Sequence, residues 1–197
     1  MSKVKSVCLT VIQNKWFCMV WLIIGCAYMT GYGFLKNPME YTASMIGLDY
    51  PLGFKFWGIL QTISLALNIL YLYRRYGYRS KGGYACLILA ACCILTTINI
   101  PSTEDFGLQL VAHWSTALLF GVFNALAMGL CLLRGAKRSK KFLATLFVFI
   151  AMLLAMLGLL VAFGKSGTIE NIPMWGAYLI LFLTNYTGLY KDSLPEQ

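Results

Sequence analysis

Residues 142–164 read FLATLFVFIAMLLAMLGLLVAFG, 23 positions without a charged side chain, with Lys140 and Lys141 before them and Lys165 directly after. At about 1.5 Å per residue, a helix of this length crosses the ~30 Å hydrocarbon core of a bilayer. Backbone N–H and C=O groups cannot stay unpaired in hydrocarbon, so the segment must close its hydrogen bonds internally, as a helix.

The same unit recurs on both sides. Charge-free runs also cover 16–35, 56–73, 82–103, 106–133 and 171–190, and each is at least 18 residues long. The run 106–133 exceeds what one crossing needs, so its helix is expected to begin a few residues after Phe106. Six such runs are too few and too long for a barrel. The predicted fold is all-α: one domain over 1–197, a polytopic membrane protein with six transmembrane helices.

Composition agrees. Apolar residues make up 59% and charged residues 12% of the chain, with a mean hydropathy of +0.71. Soluble domains carry about 25% charged residues to cover their surface. Lipid is therefore the expected solvent for most of this chain.

The net charge of +9 is distributed in short clusters between the apolar runs. That is the pattern of loops facing anionic lipid, and no groove-binding motif accompanies it, so no nucleic-acid partner is expected. Thirteen of the sixteen Lys and Arg residues fall before the first run, after every second run, and in the tail. The alternate loops hold only Lys36, Lys55 and Lys165. This asymmetry predicts both termini in the cytoplasm and a cell-membrane location.

The acids are distributed the other way. Glu40, Asp49, Glu104, Asp105 and Glu170 fall in the predicted outer loops, and only Asp192 and Glu196 fall inside. Acidic residues contribute little to topology, so this second asymmetry is separate from the first. It makes the outer face the expected place for polar chemistry.

Further expectations follow from individual residues. The basic N-terminus followed by residues 16–35 resembles a signal peptide, but the run is 20 residues long and lacks a small-x-small cleavage site, so a retained first helix is expected. The seven cysteines lie within apolar runs or near their inner ends, with no CxxC, and read as packing residues rather than a disulfide framework. The sequon at Asn185 lies inside the last run, out of reach of glycosylation, and reads as a chance match. Gln61, Ser64 and Asn68 share one face of the second span; His113, Thr116 and Asn124 line up on the fourth. Both faces are expected to turn into the bundle. Ala151, Ala155, Gly158 and Ala162 form a small-residue stripe on the fifth span, suited to close helix contact and to homo- or hetero-oligomer formation.

His113 is the single histidine. Beside carboxylates, a histidine at the outer membrane boundary can hold and move protons. The candidate catalytic set is His113, Glu104 and Asp105. The candidate binding set is Ser44, Asp49, Glu170, Gln61, Asn68 and Asn124. The bland alternative is an interfacial histidine bonded to a neighbouring loop, with acids that only solvate the surface. No metal-ligand spacing occurs, one histidine excludes bis-histidine haem ligation within the chain, and no cofactor is expected. Charged residues are absent from the middle of every run, which removes most weight from proton-coupled transporters, pumps and voltage sensors. No Walker motif, nucleophile elbow or HExxH is present.

The order of outer-loop features carries a resemblance. Ser44-Met45-Ile46-Gly47 follows the first span, Pro101 with Glu104 and Asp105 precedes His113 at the fourth, and Glu170 precedes the last. This pattern resembles prokaryotic six-helix membrane proteins distantly similar to the DRAM/FRAG group. Where that pattern places a basic residue after the last acid, this chain has Asn171. Some eukaryotic relatives of the group are linked to remodelling of lipid anchors, so the resemblance implies a membrane-lipid partner. The expected function is binding, extending to processing, of a lipid or amphiphile at the outer polar cluster. The alternatives are a non-catalytic membrane subunit and a facilitative small-solute pathway.

Overall fold

A computed structural model of the chain describes residues 13–100, 102 and 107–190. Seven α-helices are present among the described residues: α1 Lys15–Gly33, α2 Ala43–Asp49, α3 Pro51–Arg75, α4 Lys81–Asn99, α5 Leu108–Ala136, α6 Lys140–Phe163 and α7 Gly167–Tyr186. Five of them, α1 and α3 to α6, are long and apolar enough to cross a membrane. The predicted all-helical class is correct. Helix α7 has the length, 20 residues, but carries Glu170, Asn171, Pro173, Thr184 and Asn185 among its apolar positions.

The helix starts follow local chemistry. Asn14, Thr42, Ser80 and Ser166 cap α1, α2, α4 and α7, each side chain accepting from backbone N–H groups of the first turn. Pro51 opens α3 at its first turn, where a missing N–H costs nothing. Helix α4 ends at Asn99, because Ile100 precedes Pro101 and is held extended, at φ −101° and ψ 109°.

Charge-free runs and helices differ at their ends. Helix α3 starts at Pro51 and takes in Lys55; α7 starts at Gly167, takes in Glu170 and stops at Tyr186 rather than 190. Ionisable groups are therefore present in helices, within their terminal turns. The short helix α2 was not expected; it follows from the Thr42 cap and the apolar Met45, Ile46 and Leu48.

The long helices run alternately up and down in a closed ring, with α3 also touching α5 and α7 across it. Side-chain contacts fix the directions. Gln61 bonds to Gly25 and Asn68 to Cys18, so α3 is antiparallel to α1. Tyr178 meets Gln61 and Tyr186 meets Asn68, so α7 is parallel to α3. One end of the bundle gathers Arg75, Lys81, Arg134, Lys137 and Lys140, and the other gathers Lys36, Glu40, Asp49, Lys55, Lys165 and Glu170. These are called the basic and the acidic end.

The core lies around α3, where Leu65, Ile69 and Leu72 pack with Met29, Met128 and Leu181. Helix α6 contributes little to it: only Phe142 and Phe149 are buried. Ala151, Ala155, Gly158 and Ala162 are all exposed on its outer side, so the small-residue stripe does not serve contacts within this chain.

Candidate functional site

His113 is fully buried, and its Nδ1 lies 2.6 Å from the carbonyl oxygen of Ile100. A carbonyl only accepts, so Nδ1 carries the proton and Nε2 of the neutral ring is an acceptor. Nε2 is buried and makes no hydrogen bond among the described residues, although the Thr97 carbonyl also lies near the ring. The ring packs against Phe54 at 6.0 Å between centroids. The imidazole thus ties the first turns of α5 to the last residue before Pro101. Thr97 repeats the tie one turn deeper, donating 2.8 Å to Thr116.

The described acids bind elsewhere. Asp49 pairs with Lys36, and Glu170 pairs with Lys165 at 3.1 Å. Glu40 accepts from Asn37 at 2.9 Å. The Asp49 carboxylate, hydrogen-bonded to Lys36, holds that ammonium above the usual lysine range. None of these three carboxylates contacts His113. Glu104 and Asp105 lie outside the described residues. His113 is bonded to the segment that precedes Pro101, and among the described residues no carboxylate joins it.

Gln61, Ser64 and Asn68 turn inward as expected, and all three are fully buried. Gln61 donates 2.9 Å to the Gly25 carbonyl and accepts 2.7 Å from Tyr178. Asn68 donates to the carbonyls of Cys18 and Ser64 and accepts from Tyr186. Asn185 donates 2.9 Å to the Asn68 carbonyl. These amides join α1, α3 and α7 by hydrogen bonds. Asn124 donates 2.9 Å to Phe120, one turn back in its own helix. Gln61 and Asn68 thus bridge neighbouring helices, whereas Asn124 bonds within its own. Tyr178 and Tyr186 escaped the sequence reading, since tyrosines are common in apolar runs and their partners are distant in sequence.

A cavity of about 230 Å³ opens at the acidic end between α2, α3 and the end of α4. Ser44, Gly47 and Leu48 of α2 form one wall; Pro51, Phe54 and Lys55 of α3 form the second. Ile98, Asn99 and Ile100 close it from α4, with Ser102 beyond. Gly47 permits this arrangement, because a Cβ there would stand 2.8 Å from the Phe54 ring. Lys55 is the one acidic-end lysine without a hydrogen-bond or ion-pair partner among the described residues. Ser44 Oγ lies 3.1 Å from Thr42 Oγ1, and no histidine or carboxylate among the described residues reaches it. Ser44 is thus a hydrogen-bonding group with no base to activate it.

Of the predicted site residues that are described, only Ser44 lines the cavity, joined by Lys55 and Phe54, which sequence reading passed over. No group of three or more His, Cys, Asp or Glu side chains that could hold a metal occurs among the described residues. No family model matches the chain, and neither the curated proteins nor the solved structures searched contain a match.

Proposed function

We propose that this protein is a six-span cell-membrane protein, with both termini cytoplasmic, that binds an anionic lipid or amphiphile in the acidic-end cavity. The observation that carries the reading is the pairing in one cavity of Lys55, an ammonium without a partner among the described residues, with an apolar wall of Phe54, Ile98 and Ile100. An amphiphile satisfies both at once: its headgroup neutralises the lysine while its chain covers the apolar wall. Ser44, Asn99 and Ser102 supply hydrogen bonds for orientation. The orientation rests on the segregation of Lys and Arg to the basic end. Helix α7 makes the sixth crossing; its polar residues Thr184 and Asn185 are fully buried against its neighbours.

The resemblance to the DRAM/FRAG group belongs to the same reading, because Ser44 and Gly47 of its Ser-x-x-Gly element both line this cavity. Binding, rather than processing, is the activity that the described residues support.

The test is mass spectrometry of the protein extracted with its lipids, comparing wild type with Lys55→Gln and Ser44→Trp. Retained lipid should fall in both variants while the melting temperature holds. Equal lipid content in all three would overturn the proposal.

A second reading has its own observation. The exposed Ala151, Ala155, Gly158 and Ala162 give α6 a smooth face on which another helix can pack closely. Here the protein acts as a membrane subunit. Ala155→Phe should then disperse an oligomer measured in a mild detergent, and an unchanged particle mass would dispose of this idea.

A further inference from the structure

At the basic end, helix α3 stops in a Schellman turn. Gly77 N–H donates 3.2 Å to Arg74 and Tyr78 N–H donates 2.7 Å to Tyr73, with Gly77 at φ 60°. The apolar contact that completes the motif is Tyr78 on Tyr73, edge to face at 4.7 Å. This turn swings Tyr78 back over the end of the bundle, into a small cleft that it lines with Arg134 and Arg138. The floor of the cleft is Tyr76 and Phe142, which pack edge to face at 4.8 Å.

Arg134 lies in the last turn of α5. The backbone stays turned through Lys137, and Arg138 N–H bonds back to the Gly135 carbonyl at 2.9 Å. Arg134 and Arg138 are therefore about one turn apart along the backbone, and both line the cleft. Neither has a hydrogen-bond or ion-pair partner among the described residues, and the Tyr78 hydroxyl has none either. Every described carboxylate is at the opposite end of the bundle; Asp192 and Glu196 lie outside the described residues. Two cationic residues and a tyrosine thus line one cleft, with no carboxylate among the described residues beside them.

We propose that this cleft binds a phosphate group, with Arg134 and Arg138 as charge-assisted donors and the Tyr78 hydroxyl as a third. A tetrahedral anion with several acceptor oxygens matches this donor set, and guanidinium forks suit it better than ammonium groups do. The apolar floor and the exposed Leu133 beside it favour a phosphate carried on a lipid. The site is separate from the acidic-end cavity and does not depend on the function proposed for it.

The test uses the full chain in nanodiscs of phosphatidylcholine, titrated with phosphatidylglycerol and, in a parallel arm, with inorganic phosphate. The variants are Arg134→Gln with Arg138→Gln, Tyr78→Phe alone, and a control pair, Arg79→Gln with Lys137→Gln. The control removes the same charge from the same end without touching the cleft. Each lost charge-assisted contact should weaken binding about tenfold, so the arginine pair should lose far more than the control pair. Tyr78→Phe should lose a smaller factor without loss of melting temperature. Competition by inorganic phosphate that depends on the same residues would keep the site and make free phosphate its ligand. Equal losses in the arginine pair and the control pair, or no loss in either, would overturn it.

Discussion

His113 Nδ1 donates across 2.6 Å to the carbonyl of Ile100, so the single histidine of this chain fastens α5 to the end of α4. The bond fixes the tautomer, and the imidazole contacts none of the three described carboxylates. Its partner is available because Pro101 stops α4 and leaves Ile100 in an extended conformation.

His113→Phe keeps a ring of similar shape against Phe54 but deletes the donor. Leaving the Ile100 carbonyl without its partner should cost about 1–3 kcal/mol, read as a lower melting temperature in detergent. An unchanged melting temperature would mean that the bond is not a structural tie, and would return His113 to the list of functional groups.

The buried amides offer a second check. Gln61→Leu and Tyr178→Phe each break the 2.7 Å bond between α3 and α7. Interhelical hydrogen bonds in membranes contribute roughly 0.6 kcal/mol on average and up to about 1.7 kcal/mol. The double variant should lose less than the sum of the single ones, because both remove the same bond. Strict additivity in unfolding measurements would show that the two side chains act independently.

Gly77 is the residue that the α3 end turn requires in the left-handed region, at φ 60°. Gly77→Ala should cost about 1–2 kcal/mol, since a Cβ crowds the following carbonyl in that conformation. If the Tyr78 hydroxyl is also displaced, phosphate binding at the basic end should weaken in the same variant. A titration alongside the melting curve separates the two effects.

The Lys36–Asp49 pair connects the loop after α1 to α2 at the surface. The lysine is held above its ordinary range by the Asp49 hydrogen bond. A raised folded value stabilises the fold fully below the unfolded value, and that contribution disappears as pH rises through the folded one. The pair is exposed, so its effect should be small. Lys36→Met should lower the melting temperature slightly at neutral pH, with the difference closing in strongly alkaline buffer. A difference that widened with alkalinity would contradict this sign.

The helical class was legible because hydrocarbon forces it: residues 142–164 have no alternative to a helix. The inward faces of Gln61, Ser64 and Asn68 were legible for the same reason, since lipid offers them no partner. Helix ends were less so. Charge-free runs mark where lysines stop, whereas Lys55 and Glu170 sit inside helices within reach of the interface. The site was legible only in part. Acid placement indicated an end of the molecule, but lysines on the same loops took up Asp49 and Glu170, a pairing that depends on loop folding. Lys55 was missed because a positive charge in an outer loop was counted for topology and not considered as a ligand.

The ring closes between α1 and α7, the earliest and the latest of the described helices to leave the ribosome. Gln61 and Asn68 enter the membrane with α3, more than a hundred residues before Tyr178 and Tyr186 arrive to receive them. Until then two carboxamide oxygens in an apolar medium await their donors. A chain interrupted before α7 would therefore leave the Gln61 and Asn68 carboxamide oxygens of α3 without their tyrosine donors.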